Sequence, residues 1–159
     1  MANETLTATT TVTAPAEAVF AVLADPSTHA AIDGTGWVRE SRDSSALTEA
    51  GQVFRMAMYH PNHPDGHYEI ANKVRVFDPP HAISWEPGTE ASDGSLSSGG
   101  WTWRYDLMRA SSEETKVTLT YDWSAVPQVI RDRIGFPPFG QDHLDNSLSH
   151  LAKLVADAR

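Results

Sequence analysis

Residues 10–33, TTVTAPAEAVFAVLADPSTHAAID, decide the fold because they join a strand to two short helices. Residues 4–13 are rich in threonine and alternate in polarity, which predicts a half-buried strand. Pro15 suits the first turn of a helix, where its missing N–H would have no partner. The helix that follows carries its apolar groups on one side, namely Val19, Phe20, Val22 and Leu23.

The first helix is predicted to end at Asp25, because the following Pro26 disfavours the α conformation for the residue before it. Ser27 is the expected cap of a second short helix over residues 27–32. One strand followed by two small helices is an uncommon opening for a chain that continues as strands.

The remainder alternates in polarity over several short segments and ends in a helical pattern. Strands are predicted over residues 37–39, 52–60, 67–78, 82–87, 101–109 and 115–123. In the strand 67–78, one face is predicted to carry Tyr68, Ile70, Val74 and Val76. Residues 88–100, GTEASDGSLSSGG, are of low complexity and predict a mobile hairpin loop. A turn or two of helix is expected within 126–134.

The C-terminal segment 141–158 is the longest helical pattern. Its apolar stripe consists of Leu144, Leu148, Leu151, Leu154 and Val155. This stripe must be buried, and the economical partner is the antiparallel sheet. We therefore predict a single α+β domain over residues 1–159, a curved antiparallel sheet of about six to seven strands wrapped around the C-terminal helix. A cavity is expected between sheet and helix.

Composition excludes several classes of function. The 159 residues include 12 basic and 21 acidic side chains, a formal net charge of −9, which would repel a nucleic-acid backbone. There is no cysteine, so disulfides and thiolate chemistry are impossible. No apolar run approaches the roughly 20 residues that span a bilayer, and residues 1–10 do not resemble a secretion signal. A cytoplasmic protein is expected.

Three stretches carry a resemblance to a known superfamily: TVTAPAEAVFAVLADPSTHAAIDG, VFDPPHAISWEP and the terminal SLSHLAKLVADAR. They resemble the SRPBCC, or START-like, helix-grip superfamily. It includes START lipid-transfer domains, birch-pollen-allergen-type plant proteins, polyketide cyclases and aromatases, and activators of the Hsp90 ATPase. The chain is most similar in appearance to small bacterial polyketide cyclase/dehydrase-like proteins. The resemblance implies a helix-grip fold with a ligand cavity, but a fold alone does not imply an activity.

Inward-facing apolar and aromatic side chains predict a ligand-binding surface in that cavity. The predicted set is Phe54, Met56, Met58, Tyr68, Ile70, Asn72, Trp85, Trp103, Leu119 and Trp123, together with Tyr105 and Tyr121. Plain core packing is the alternative for each of these side chains taken singly, and a structural hydrogen bond is the alternative for Asn72.

Acid–base catalysis is a second possibility for the same cavity. His60 shares the predicted strand face of Phe54, so it is the candidate for removing a proton. Tyr105 and Tyr121 could polarise a carbonyl group by donating hydrogen bonds. The alternative places His60 at the rim of the cavity with no part in chemistry.

Three histidines, His60, His63 and His67, lie close together around a turn that contains two prolines. Three imidazoles are a weak candidate for a metal site. A solvated hairpin or a pH-sensitive rim is the simpler interpretation, so no metal and no cofactor is expected.

The first hypothesis is a binding or carrier module for an apolar or aromatic small molecule. The second is a polyketide cyclase, aromatase or dehydratase, and the third is a protein-interaction module like the Hsp90 activators. The expected partner is a small molecule rather than nucleic acid, and the expected state is a monomer or homodimer.

Overall fold

The computed structural model describes residues 4–33, 38–42, 46–59, 66–133, 136 and 139–157. A short 3-10 turn, Pro26–Thr28, lies between the first two helices. In chain order the described elements are β1 (Thr5–Val12), α1 (Ala16–Leu23), α2 (His29–Asp33), β2 (Val38–Ser41), β3 (Val53–Tyr59), β4 (His67–Asp78), β5 (Ala82–Glu90), β6 (Leu96–Ser98), β7 (Thr102–Ser111), β8 (Glu114–Asp122), α3 (Gln128–Arg131) and α4 (Gln141–Asp157).

The strands form one curled antiparallel sheet in the order β1-β8-β7-β5-β4-β3-β2, with the short β6 paired to β5. Helix α4 packs against β1 and β8 and against the two N-terminal helices. The α+β helix-grip architecture predicted from the sequence is therefore confirmed. Strands β7 and β8 form an antiparallel hairpin in which Trp103 pairs with Tyr121.

The core lies between α4, α1 and the concave face of the sheet. Leu144, Leu148, Leu151 and Val155 of α4 are at most 1% exposed, whereas Leu154 is only partly buried at the edge of the stripe. Each fully buried side chain of this kind contributes roughly 1.5–3 kcal/mol relative to exposure. Burial of this stripe therefore holds α4 in place.

The cap of the second helical segment differs from the prediction. Asp25, not Ser27, is the N-cap: its side chain accepts a hydrogen bond from the Ser27 N–H at 3.0 Å and from the Ser27 hydroxyl at 2.7 Å. Pro26 occupies the first helical position, where it lacks only an N–H that would have no partner. The cap therefore lies two residues earlier than expected.

A bulge in β4 corrects the predicted face of its C-terminal half. The register with β5 shifts between Val74 and Val76, so Arg75 is the extra residue. Because side chains alternate along a strand, the shift turns Phe77 toward the core, where its ring lies 5.2 Å from that of Phe20. The prediction that Val76 shares the inward face of Val74 was wrong.

Part of the predicted loop 88–100 is regular structure. Strand β5 continues to Glu90, and β6 pairs back onto it. Glycine is required at position 88, because a Cβ there would lie 2.5 Å from the Ser97 carbonyl oxygen. Close backbone approach at this glycine allows the exposed hairpin to form.

A histidine is part of the core. His29 is 8% exposed, its Nε2–H donates to the carbonyl oxygen of Leu23 at 2.9 Å, and its ring stacks on Trp85 with centroids 4.9 Å apart. Burial lowers the pKa of His29, although the Leu23 carbonyl and Asp25 oppose the shift. The imidazole is therefore packed in its neutral form.

The assignment of Asp25 as the N-cap can be tested by comparing the stability of two variants. Asp25→Ala should lower the free energy of unfolding by about 1 kcal/mol, because the first N–H groups of the 3-10 turn lose their acceptor. Ser27→Ala should cost less than half as much, since it removes a single exposed hydroxyl contact. Urea denaturation of both variants checks this, and an equal or larger loss for Ser27→Ala would contradict the assignment of the cap.

The buried histidine predicts how stability depends on pH. The pKa of His29 is lower in the folded protein than the 6.5 of an ordinary histidine, so the unfolded chain binds more protons. The contribution of neutral His29 to the free energy of unfolding is fully present above pH 6.5 and is lost as the pH falls below that value. Urea denaturation between pH 8 and 5 should show that the free energy of unfolding falls less steeply with decreasing pH for His29→Gln than for the wild type. If the free energies of the two proteins fall in parallel, His29 does not contribute to the pH dependence.

Candidate functional site

The register of the sheet brings aromatic side chains from three strands into one inward-facing row. Across the sheet, Val74 pairs with Trp85, Trp85 with Trp103, Trp103 with Tyr121 and Tyr121 with Leu6. Directly paired residues in an antiparallel sheet point to the same face. Two indoles and one phenol therefore stand side by side.

These rings form two contacting groups, Trp85 with Tyr105 and Trp103 with Tyr121 and Phe139. The strand pairing of Trp85 with Trp103 sets the two groups side by side, and we define the five rings together as the aromatic cluster. Ring centroids are 4.5 Å apart for Trp103 and Tyr121, 4.9 Å for Tyr121 and Phe139, and 5.9 Å for Trp85 and Tyr105. The spacings are those of favourable aromatic contacts. Phe139 comes from the segment before α4, so the cluster joins the sheet to the start of the helix.

A histidine and a carboxylate lie next to the cluster. His143 Nε2 lies 3.5 Å from Asp33 Oδ1, and the two side chains are only 9% and 13% exposed. The His143 ring is 4.5 Å from Phe139 and 5.9 Å from Trp103, between ring centroids. A histidine–carboxylate pair therefore faces the aromatic cluster from α4.

The packing of α2 against α4 positions this pair. Two turns beyond His143, His150 Nδ1–H donates to the carbonyl oxygen of Ile32 at 3.0 Å. Ile32 precedes Asp33 at the C-terminal end of α2, where carbonyl groups lack partners within the helix. The start of α4 is fixed separately, because the Gln141 amide donates to the Thr7 carbonyl of β1 at 2.9 Å. Asp33 and His143 are thus held by different elements.

Burial determines which protons the site holds. Burial lowers the pKa of His143, and His150 lowers it further, whereas Asp33 acts in the opposite direction. Burial raises the pKa of Tyr105 and of Tyr121, and the charge of Asp33 adds to the shift at Tyr105. At neutral pH the site therefore contains a neutral imidazole and two phenols that keep their protons.

The polar atoms of these rings make no hydrogen bonds within the described part of the chain. None of its residues bonds to the indole N–H of Trp85 or Trp103, the hydroxyl of Tyr105 or Tyr121, or Nδ1 of His143. Buried tyrosine and tryptophan usually pair their polar ends. Four donors and one acceptor are thus available to a molecule placed against the cluster.

Asn72 adds one more polar group on the inward face. It is 3% exposed and pairs with Phe54 across β3 and β4. Its amide nitrogen lies 3.5 Å from the Phe54 carbonyl oxygen, and its Oδ1 has no partner among the described residues. A buried carbonyl oxygen without a partner is costly and marks a position where a donor would stabilise the fold.

The predicted site residues fall into three groups. Trp85, Trp103, Tyr105 and Tyr121 belong to the aromatic cluster. Phe54, Met56, Leu119 and Trp123 are buried in the hydrophobic core, Phe54 with its ring 5.7 Å from Trp85. Met58, Tyr68 and Ile70 are half-buried farther along β3 and β4, away from His143 in the pairing register.

The histidine predictions mostly lie outside the described residues. His60 and His63 are not among them, so neither the catalytic role of His60 nor the three-histidine metal site is tested. His67 is exposed at the start of β4, with its ring 5.1 Å from Tyr59. Within the described ranges no group of three or more potential ligands is placed to hold a metal ion.

Sequence reasoning missed Asp33, Phe139 and His143. The helical pattern of α4 contained a signal, because His143, Ser147 and His150 flank the apolar stripe at intervals of four and three residues. Polar residues at that spacing lie at the edge of the buried face. The partner Asp33 had no comparable signal, since its proximity depends on how α2 packs against α4.

A separate groove of about 620 Å³ opens on the surface near the start of α1. It is lined by Ala16, Glu17, Pro80, His81, Leu107, Met108 and Arg109. None of these belongs to the aromatic cluster, and Glu17 and Arg109 form an exposed ion pair 2.6 Å long. The cluster, with its available polar groups, is the better candidate for a functional site.

None of the helices within the described ranges is long and apolar enough to cross a membrane.

Two curated relatives are similar to this chain. It is 29% identical over 153 residues to the uncharacterized protein Rv0088 of Mycobacterium tuberculosis strain H37Rv. It is 30% identical over 153 residues to the uncharacterized protein MT0096 of strain CDC 1551. Each match covers 93% of this chain and 62% of the relative, so the chain spans about three fifths of their length.

Solved structures share the fold at low identity. Protein Ms6760 from Mycobacterium smegmatis superposes with a TM-score of 0.67 at 18% identity, covering 98% of this chain and 93% of its own. Norcoclaurine synthase from Thalictrum flavum, in complex with dopamine and hydroxybenzaldehyde, gives 0.64 at 13% identity, covering 98% and 87%. The model of one family, described as polyketide cyclase/dehydrase and lipid transport, matches residues 4–156. The chain belongs to the polyketide cyclase/dehydrase and lipid transport family.

Proposed function

We propose that this chain binds a planar aromatic or otherwise apolar small molecule against the aromatic cluster, between the sheet and the start of α4. One observation carries the proposal: inward-facing rings in contact with one another present several polar atoms without partners among the described residues. Small-molecule sites combine an apolar lining with a few polar groups of this kind.

The polar groups narrow the chemistry of the ligand. Tyr105 and Tyr121 are donors and suit a carbonyl or hydroxyl oxygen, while Nδ1 of His143 accepts a hydrogen bond. The net charge of −9 disfavours a strongly anionic molecule. A neutral ring system with one or two oxygen substituents matches this set.

The other predicted ligand-binding residues extend the same surface. Met58, Tyr68 and Ile70 would contact the far end of a longer ligand, since they lie farther along β3 and β4 on the inward face. Asn72 would donate to or accept from a polar group through its amide. Phe54, Met56, Leu119 and Trp123 would support the lining from the core.

Ring closure or dehydration of a polyketide-like substrate is the second candidate function. The observation that favours it is the placement of two protonated phenols, Tyr105 and Tyr121, beside the pair His143–Asp33. Phenols in this form can stabilise the oxygen of an enolate. His60 stays a candidate residue in this reaction.

Binding should depend on the cluster. We expect 2-naphthol, a neutral phenol with two fused rings, to bind the wild-type protein in a calorimetric titration. Phe139→Ala should weaken binding by roughly two- to twelvefold, because it removes one aromatic contact of about 0.5–1.5 kcal/mol. Val129→Ala is the matched control, since Val129 is 60% exposed on α3 and should leave the affinity unchanged.

Circular dichroism establishes that both variants are folded before they are compared. A wild-type protein that gives no heat above dilution, or a Phe139→Ala variant that binds as tightly as the wild type, would overturn the proposal.

A further inference from the structure

We propose that His143 is a general base that removes a proton from the carbon next to the carbonyl group of a bound aromatic ketone, with Asp33 as its positioning residue. This deepens the proposed function and rests on it, because the ketone must first bind against the aromatic cluster. His143 lies on α4 and Asp33 at the end of α2.

The two nitrogens of His143 have different surroundings. Nε2 faces Asp33 Oδ1 at 3.5 Å, a contact that favours the tautomer with the proton on Nε2. Nδ1 then carries the lone pair, and no described residue donates to it. Catalytic hydrogen bonds are often long without substrate and shorten in the complex. The arrangement leaves one basic nitrogen available to a ligand.

The ring is placed where a flat ligand would lie. The His143 centroid is 4.5 Å from that of Phe139 and 5.9 Å from that of Trp103. A molecule stacked on these rings would present its edge to the imidazole. General-base catalysis requires this proximity, since the base must reach the proton directly or through one water.

Asp33 supports the proposed role of His143 in two ways. It is tied into the fold, because its Oδ2 accepts a hydrogen bond from the Val38 N–H at 3.5 Å and its neighbour Ile32 is bound by His150. It also places a negative charge beside the imidazolium that forms when Nδ1 takes up a proton. The carboxylate therefore orients the ring and stabilises its protonated form.

Tyr105 and Tyr121 complete the chemistry. Burial keeps the pKa of both phenols above the ordinary value, so each retains its proton and can donate to an oxygen that gains charge. Tyr121 lies 4.9 Å from Phe139 between ring centroids, on the same side of the cluster as His143. Tyr121 and His143 thus contact the same ring, Phe139, and Tyr105 lies within reach of the charge of Asp33.

The proposed step is a balanced proton transfer. The C–H bond breaks, its proton moves to Nδ1 of His143, and its electron pair forms the carbon–carbon double bond of an enolate. The carbonyl oxygen takes the negative charge and accepts a hydrogen bond from a tyrosine. Reversal returns a proton to the same carbon. No oxidant, reductant or second substrate is needed.

Hydrogen exchange of a simple ketone tests the proposal. In D₂O buffer, proton NMR follows the loss of the C1 proton signal of 2-tetralone, whose C1 lies between the carbonyl and the aromatic ring. Wild-type protein should accelerate this loss over buffer alone. His143→Asn should reduce the protein-dependent rate by roughly a hundredfold, while calorimetry shows that 2-tetralone still binds.

Variants of Asp33 test separately whether its carboxylate positions His143. Asp33→Asn should lower the protein-dependent rate by about tenfold with binding retained, and Asp33→Glu should restore part of it. His67→Asn, which replaces an exposed histidine outside the cluster, is the control and should exchange like the wild type.

The outcomes separate the two proposals. Binding of 2-tetralone without any acceleration, or equal acceleration by wild type and His143→Asn, overturns the general base and leaves the binding function standing. Failure of both 2-tetralone and 2-naphthol to bind overturns both. An Asp33→Glu rate no higher than that of Asp33→Asn overturns the role of the carboxylate.

Discussion

Helix α4 is held on the concave face of the sheet by the burial of Leu144, Leu148, Leu151 and Val155. The same helix carries His143 and His150, so the apolar contact that closes the core also places two partly buried imidazoles at its edge. His150 binds the end of α2 and fixes the position of Asp33. The candidate site thus exists only while this helix is docked, and its geometry follows from the packing of the core.

The N-terminal segment determines the fold and also positions a residue of the candidate site, which its sequence alone did not indicate. The stretch that joins β1 to α1 and α2 ends at Asp33, which faces His143 across 3.5 Å. Asp25 and Pro26 fix the turn into α2, and His29 anchors that helix on Trp85. The segment that decides the fold therefore also delivers one of the groups that the proposed chemistry needs.

Much of the fold could be predicted because its signals are local. The alternation of polar and apolar residues predicted the strands, and the apolar stripe at helical spacing predicted α4. The sequence could not show the bulge at Arg75 or the inward turn of Phe77, since both depend on pairing with β5. At the site, the inward orientation of Trp103 and Tyr121 could be predicted from strand alternation. The contact between Asp33 and His143, in contrast, joins residues 110 positions apart. Such a contact is set by helix packing, which has no short-range pattern.

The most direct measurement is an NMR titration of the tryptophan side chains with 2-naphthol, observed through their indole N–H signals. Of the five tryptophans in the sequence, Trp85 and Trp103 belong to the aromatic cluster. Binding against the cluster predicts that the signals of Trp85 and Trp103, assigned by single substitutions, shift the most. Binding that leaves both signals unchanged while other tryptophans shift would contradict the proposed site.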